Sequence, residues 1–273
     1  MSAADIPVAL GLCRASGWNQ VEDDWRVFLT LPASHCFVAE KSGQVVGTVA
    51  TLDFQTCAWI AMMLVDPRER GSGIGSQLFE KALAALSCKP CVALDASSAG
   101  EPLYRRRGFV DCERVIRTRA AVEGECLTQE IGIRTMSEAD LPRVFQLDRD
   151  SFGGDRSLLL TLLFHRAPQW AWIAEHGIHL AGYCFGRQGH LYGQIGPIVA
   201  EREDVARGLV SRCLLGQHGK SIVIDAPAGT PAWLPWLASA GFVEDRRFTR
   251  MYRGEIMQLS TNLHYGIAGP EFG

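Results

Sequence analysis

The chain has 273 residues, 47% of them hydrophobic, which is enough for one or two folded domains. A formal net charge of −3 argues against a dedicated nucleic-acid binder, and no apolar run approaches the ~20 residues of a membrane span. Neither nucleic acid nor a membrane is therefore expected as a partner. Residues 1–7 place no basic stretch ahead of an apolar one, so no signal peptide is expected and the cytoplasm is the expected compartment. The nine cysteines are odd in number and scattered; they read as free thiols, and Cys88 and Cys91 lack a second pair at zinc spacing, so no metal is expected.

In chain order, residues 5–14 and 21–31 read as helices. Residues 37–40 and 45–51 read as strands about a turn at 41–44. The unbroken apolar run 58–65 stops at Asp66-Pro67, the mark of a buried strand. Gly71, Gly73 and Gly75 follow at alternate positions. Leu78, Phe79, Ala82, Leu83 and Leu86 then recur at helical spacing. A strand at 92–95 precedes a short helix at 101–107, with Pro102 in its first turn and Gly108 at its end; a further strand starts at Phe109.

The order then repeats. Ala4-Asp5-Ile6-Pro7 matches Ala139-Asp140-Leu141-Pro142. Phe37-Val38-Ala39-Glu40 followed by Gly47 matches Trp172-Ile173-Ala174-Glu175 followed by Gly182. Gly108-Phe109-Val110-Asp111 matches Gly241-Phe242-Val243-Glu244. Three matches in one order at a domain-sized offset predict a tandem duplication. Residues 1–125 form the first copy, 131–255 the second and 256–273 a tail, with the boundary in the polar stretch 121–130. The second copy opens with a strand at 131–136 that the first lacks. A helix near 141–149, strands at 171–175, 180–186 and 192–199, a helix at 204–215 and a strand at 221–225 follow. The tail from Leu263 is apolar and is expected to be tied down, at the domain interface.

Strand, glycine loop, helix is the order of an anion site. A helix N-terminus presents unpaired N–H groups and partial positive charge, and glycines let the backbone approach a phosphate. The loop Arg70-x-x-Gly73-x-Gly75, after Leu64-Val65-Asp66-Pro67, resembles the acetyl-CoA pyrophosphate loop of the GCN5-related N-acetyltransferases (GNAT). The resemblance implies an α/β protein of two tandem acetyltransferase folds, each a mixed, splayed sheet covered by helices. It also implies that Arg70, Gly71, Ser72, Gly73, Ile74, Gly75 and Ser76 hold the pyrophosphate of acetyl-CoA. Backbone groups of Met63, Leu64 and Val65 would hold the acetyl and pantetheine amides.

Tyr104, four residues before Gly108-Phe109, matches the family tyrosine that points at the CoA sulfur, and would protonate the departing thiolate. The other reading of Tyr104 is a packed tyrosine with its hydroxyl on solvent. Ser97 stands where relatives often have a cofactor-contacting asparagine. Arg105, Arg106 and Arg107 are a solvated helix face or reach the 3′-phosphate. The strand before the loop lacks the glutamate many relatives use as base; Asp53, His35, Asp24, Asp95 and a water chain remain open. Trp18, Asn19, Gln20, Asp24 and Trp25 are acceptor-pocket walls or core.

The second copy has 196–204, with acids Glu201, Glu203 and Asp204, in place of the glycine loop, and Leu237 in place of Tyr104; it is expected to have lost the site. The expected activity is acetyl transfer from acetyl-CoA to the primary amine of a small molecule, by direct attack in a ternary complex. A protein lysine or N-terminal acetyltransferase and a non-catalytic acyl-CoA sensor are the alternatives. A monomer is plausible, since a fused pair can cover its own surface.

Overall fold

The computed structural model describes residues 1–123, 132–255 and 263–273. The expected boundary segment lies outside the described residues from 124 onward, as do Ile131 and the start of the tail. The first copy runs α1 (Ile6–Ala15), α2 (Glu22–Thr30), β1 (Cys36–Lys41), β2 (Gln44–Asp53), β3 (Ala58–Val65), α3 (Ile74–Ala85), β4 (Cys91–Ala96), α4 (Glu101–Arg105) and β5 (Val110–Ala121). The second runs β6 (Ile133–Thr135), α5 (Leu141–Phe152), α6 (Ser157–Arg166), β7 (Trp172–His176), β8 (His179–Gln188), β9 (Gly193–Ala200), α7 (Glu203–Leu214), β10 (Ser221–Pro227), α8 (Trp233–Ser239) and β11 (Val243–Gly254). A last strand, β12 (His264–Gly266), belongs to the tail. Helix α6 escapes the periodicity argument because it is apolar all round: Leu159, Leu160, Leu163 and Phe164 are buried, but Leu158 and Leu162 face solvent.

The repeated residues have physical work in both copies. Asp5 accepts from the Ser2 N–H at 2.6 Å, and Asp140 from the Ser137 N–H at 2.8 Å, so each starts a helix in the same way. A Cβ on Gly47 would lie 2.9 Å from the Leu64 carbonyl oxygen and from Leu78 Cδ1; one on Gly182 would lie 2.8 Å from the Val199 carbonyl oxygen. Both glycines permit close strand contact. Gly108 and Gly241 end α4 and α8 at φ +83° and +89°, where glycine carries no steric penalty.

The two copies share one sheet, ordered β1-β2-β3-β4-β11-β5-β10-β9-β8-β7-β6. Each copy gives its last long strand to the other. β11 pairs with β4 of the first copy over Ala96 to Cys91, while β5 pairs with β10 of the second over Val115 to Ala121. The two exchanged strands also pair with each other. Arg250 on β11 makes a buried bidentate pair with Asp95 on β4, both bonds 2.9 Å, and lies over the Trp59 ring at 4.9 Å. One core runs through both copies, joining Trp25, Phe28 and Trp59 to Phe152, Tyr183 and Phe272.

Each copy also holds two parallel strands that begin paired and then part. In the first, β3 and β4 pair only at Ala58–Val92 and Trp59–Ala93. In the second, β9 and β10 pair from Gly193–Ile222 to Ile195–Ile224. There the tail enters the gap. β12 pairs with β9 at Val199 and Ile198, the Ile267 N–H donates to the Asp225 carbonyl of β10 at 3.0 Å, and the Trp233 indole donates to the Tyr265 carbonyl at 2.7 Å. The fit is tight: a Cβ on Gly196 would stand 2.0 Å from the Ile267 carbonyl oxygen. Gly196→Ala should therefore push the tail out of the gap and lower unfolding free energy by roughly 3 kcal/mol, read from a urea transition. An unchanged midpoint would mean that the tail is not seated there.

Candidate active site

In the first copy the gap between β3 and β4 stays open. The β4-facing edge of β3 has no strand partner beyond Trp59 among the described residues, so its backbone groups face the cleft. On the other edge, the β2–β3 register slips between Thr48–Leu64 and Ala50–Ala61, leaving an extra residue on β3. Met62 sits in this bulge at φ +53°, an unusual value for a methionine, and its carbonyl accepts from Thr48 Oγ1 at 2.8 Å. The bulge redirects the backbone of Met63, Leu64 and Val65 where the strands part.

At the end of β3 the chain turns into the glycine loop. Asp66 is bound by the Arg68 guanidinium at 2.8 Å and Glu69 by Lys41 at 2.7 Å, so acids beside the loop are neutralised. Arg70 is exposed and donates to the Val65 carbonyl at 3.4 Å. Gly71 and Gly73 take φ +83° and +87°; Gly73 caps α3, and a Cβ there would meet only Gln77 Nε2, at 4.0 Å. A Cβ on Gly75 would only touch Met63 and Val65, at 3.5 and 3.6 Å. Ser72 turns its hydroxyl back to the Glu69 carbonyl at 2.5 Å, while Ile74 and Ser76 lie half-buried in the first turn of α3, which carries no acidic residue. A helix N-terminus that starts on glycine and carries no acid leaves its dipole unopposed, the arrangement that suits an anion.

Tyr104 reaches the same cleft from α4. Its ring packs on Phe79 at 4.9 Å, and burial pushes its phenol up to about 12. The phenol is thus held protonated. Gly100 makes room for it: a Cβ there would lie 2.7 Å from Tyr104 Cε2. Tyr104, Ser97 at the end of β4, and Met62 and Met63 on β3 line one cavity of about 90 Å³. Leu237, at the matching position of the second copy, is fully buried. Arg105 and Arg107 are committed to acids: Arg105 binds Asp111 at 2.9 Å, and Arg107 binds Glu80.

The far wall of the cavity comes from elsewhere. Of the residues left open as pocket wall or core, Trp18, Asn19 and Gln20 border it, whereas Trp25 is core and Asp24 lies outside it. Burial pushes the Asp24 carboxyl up, but Arg187, at 2.6 Å, and Arg166, at 2.7 Å, outweigh that and hold it below the usual carboxylate range. Asp53 pairs with Lys89 at 2.5 Å, and His35 stacks on Phe37; neither lines the cavity. Asp95 does, but in its bidentate pair with Arg250; burial raises its pKa against that pair. Sequence reasoning missed Arg117 on β5, Arg246 and Phe248 on β11, and Pro270 and Glu271 of the tail. The apolar tail was the one available signal for the last two.

The comparisons with known proteins agree with this geometry. Two models of the acetyltransferase (GNAT) domain match the chain, at residues 32–111 and 144–266. YitH of Bacillus subtilis (strain 168), an uncharacterised N-acetyltransferase, is 25% identical over 238 residues, covering 86% of this chain and 84% of its own. A crystal structure from Pyrococcus horikoshii, of a protein assigned as an acetyltransferase, superposes with TM-score 0.86 at 23% identity, covering 100% of this chain and 94% of the other. A tandem GNAT protein from the clavulanic acid biosynthesis pathway superposes with TM-score 0.67 at 15% identity, covering 93% and 97%. Among the described residues no helix is long and apolar enough to cross a membrane. One open and one filled cleft on a shared sheet, with an acetyltransferase-domain match on each half, make this chain an N-acetyltransferase of the GNAT superfamily, a family that generally draws its acetyl group from acetyl-CoA, in tandem form.

Proposed function

We propose that the chain transfers the acetyl group of acetyl-CoA to the primary amine of a small molecule, in the first copy alone, through direct attack in a ternary complex. One observation carries this reading: β3 and the Tyr104 ring line one cavity where the β3–β4 gap stays open, and the glycine-capped N-terminus of α3 packs beside it against Met63 and Val65, while the matching gap holds the tail. The N–H groups from Gly71 to Ser76, with Arg70, suit a pyrophosphate. The bulged backbone from Met63 to Val65 suits the pantetheine amides and the thioester carbonyl, on which charge develops during attack. Tyr104 gives its proton to the departing thiolate, and Ser97 offers a hydroxyl to the cofactor. Residues 1–125 form the catalytic unit and 131–255 a degenerate partner that completes the acceptor side. A cavity of about 90 Å³ walled by both copies favours a small acceptor over a protein chain.

The carboxylates beside the acceptor side are all in ion pairs: Asp95 with Arg250, Glu271 with Arg187, and Asp225 with Arg117 at 2.7 Å. The acceptor therefore loses its ammonium proton to water. On this account kcat/KM rises with pH up to the acceptor's own pKa, and the inflection moves when the acceptor is changed. An inflection fixed across acceptors would instead reveal a base on the protein.

Calorimetry tests the cofactor site. Wild type should bind acetyl-CoA and Gly73→Glu should not, because a carboxylate would project into the anion seat from a backbone that favours glycine. Unchanged binding in the variant would move the site elsewhere. Tyr104→Phe should keep acetyl-CoA binding and lose roughly 10²-fold or more in kcat. Gly100→Ala, which displaces the ring without removing the hydroxyl, should cost on the order of tenfold or more in kcat. Full activity in Tyr104→Phe would leave Tyr104 a packing residue.

A further inference from the structure

Resting on that reading, the far wall of the cavity specifies the acceptor: we infer that it is a primary amine that also carries a carboxylate, its amine seated on Gln20 and its carboxylate on Arg246. Gln20 is only 8% exposed. Its Nε2 donates to Glu271 Oε1 at 3.0 Å, and its Oε1 is buried without a partner. The orientation follows from the chemistry. Glu271, ion-paired with Arg187, can only accept, so the amide nitrogen must face it and the carbonyl oxygen must be the atom left over. An unpaired buried acceptor is costly, and an amine N–H is the group that satisfies it.

Among the described residues, the charges around the same cavity cancel in pairs, with one exception. Arg117 is spent on Asp225 and on the Tyr192 hydroxyl, each at 2.7 Å, and the acids Asp95 and Glu271 have buried arginines of their own. Arg246 lines the cavity, is exposed, and makes no ion pair among the described residues. One uncompensated guanidinium facing a cavity otherwise neutral by pairs attracts an anion, and its planar fork matches a carboxylate. A di- or polyamine would leave that charge opposed to its own.

Matched acceptors test this, with acetyl-CoA binding measured alongside. Glycine and β-alanine are compared with their amides, with ethylamine and with spermidine, by thiol release. The carboxylate-bearing amines should show kcat/KM about ten- to a hundredfold higher, the worth of one charge-assisted contact. Arg246→Gln should erase that advantage through KM, bringing glycine and β-alanine down to the level of their amides, and Arg246→Lys should keep part of it. Gln20→Met should raise KM for every amine. Equal rates across the panel, a preference for spermidine, or no turnover of the carboxylate-bearing amines while acetyl-CoA still binds, would overturn the inference. Weaker acetyl-CoA binding in Arg246→Gln would overturn it too, by assigning Arg246 to the cofactor. Failure of the wild type to bind acetyl-CoA would be a different result, defeating the proposed function itself.

Discussion

The pairing of β11 with β4 is the constraint on which the cleft depends. A strand that parts from its parallel neighbour after two residue pairs has lost one edge, and it stays straight only if the other edge is held. β11 holds β4 along its whole length, Ala96 to Cys91. The pair Asp95–Arg250 pins that contact from within. A buried pair of this kind adds little net stability, but it leaves an uncompensated charge when one partner is removed, so it fixes register. Because β11 comes from the second copy, one wall of the first copy's cleft is braced by its partner. The same crossing carries Arg246 and Phe248 to the cavity and sends β5 to β10, so neither half keeps a complete sheet alone.

Parting two strands exposes backbone groups in both copies, and the copies satisfy them differently. In the second, β12 and Ile267 supply hydrogen-bond partners from the tail. The helix that follows, α7, has Glu203 and Asp204 in its first turn, so its own carboxylates occupy the place where a bound anion would interact with the dipole. In the first copy neither substitute exists: no described segment enters the gap, and α3 starts on glycine without acids. The contrast is chemical as well as geometric, since a ligand rich in amides and phosphate would meet the needs that the tail and the two acids meet in the second copy.

Most of this was legible in the chain because local chemistry wrote it. The matches that reveal the duplication fall on residues with the same local duty twice, such as the helix-starting Asp5 and Asp140 and the close-contact Gly47 and Gly182. The glycine loop was equally readable, since only glycine suits φ +87° at Gly73. What could not be read was pairing between distant segments. Nothing in Val243 to Gly254 distinguishes a strand that returns to its own copy from one that crosses to the other. For that reason the sequence carries no signal that Arg246 lines the cavity. Asp24 and Asp95 stayed open as bases for the same reason: their guanidinium partners lie 163 and 155 residues away in sequence, on strands of the second copy.

The tail ties these features together. After filling the second copy's gap it runs back under the first: the Trp59 indole donates to the Pro270 carbonyl at 2.9 Å, Phe272 stacks on Phe28 at 5.3 Å, and Arg156 donates to the Gly273 carbonyl at 2.7 Å. Between these anchors stands Glu271, held by Arg187 from β8 and turned toward Gln20 of the first copy. One segment thus fills the second gap and walls the cavity of the first. Seating a ligand in the second gap would require expelling β12, which would draw Pro270 and Glu271 away from the cavity. The filling of one gap and the walling of the other cavity are therefore done by the same segment.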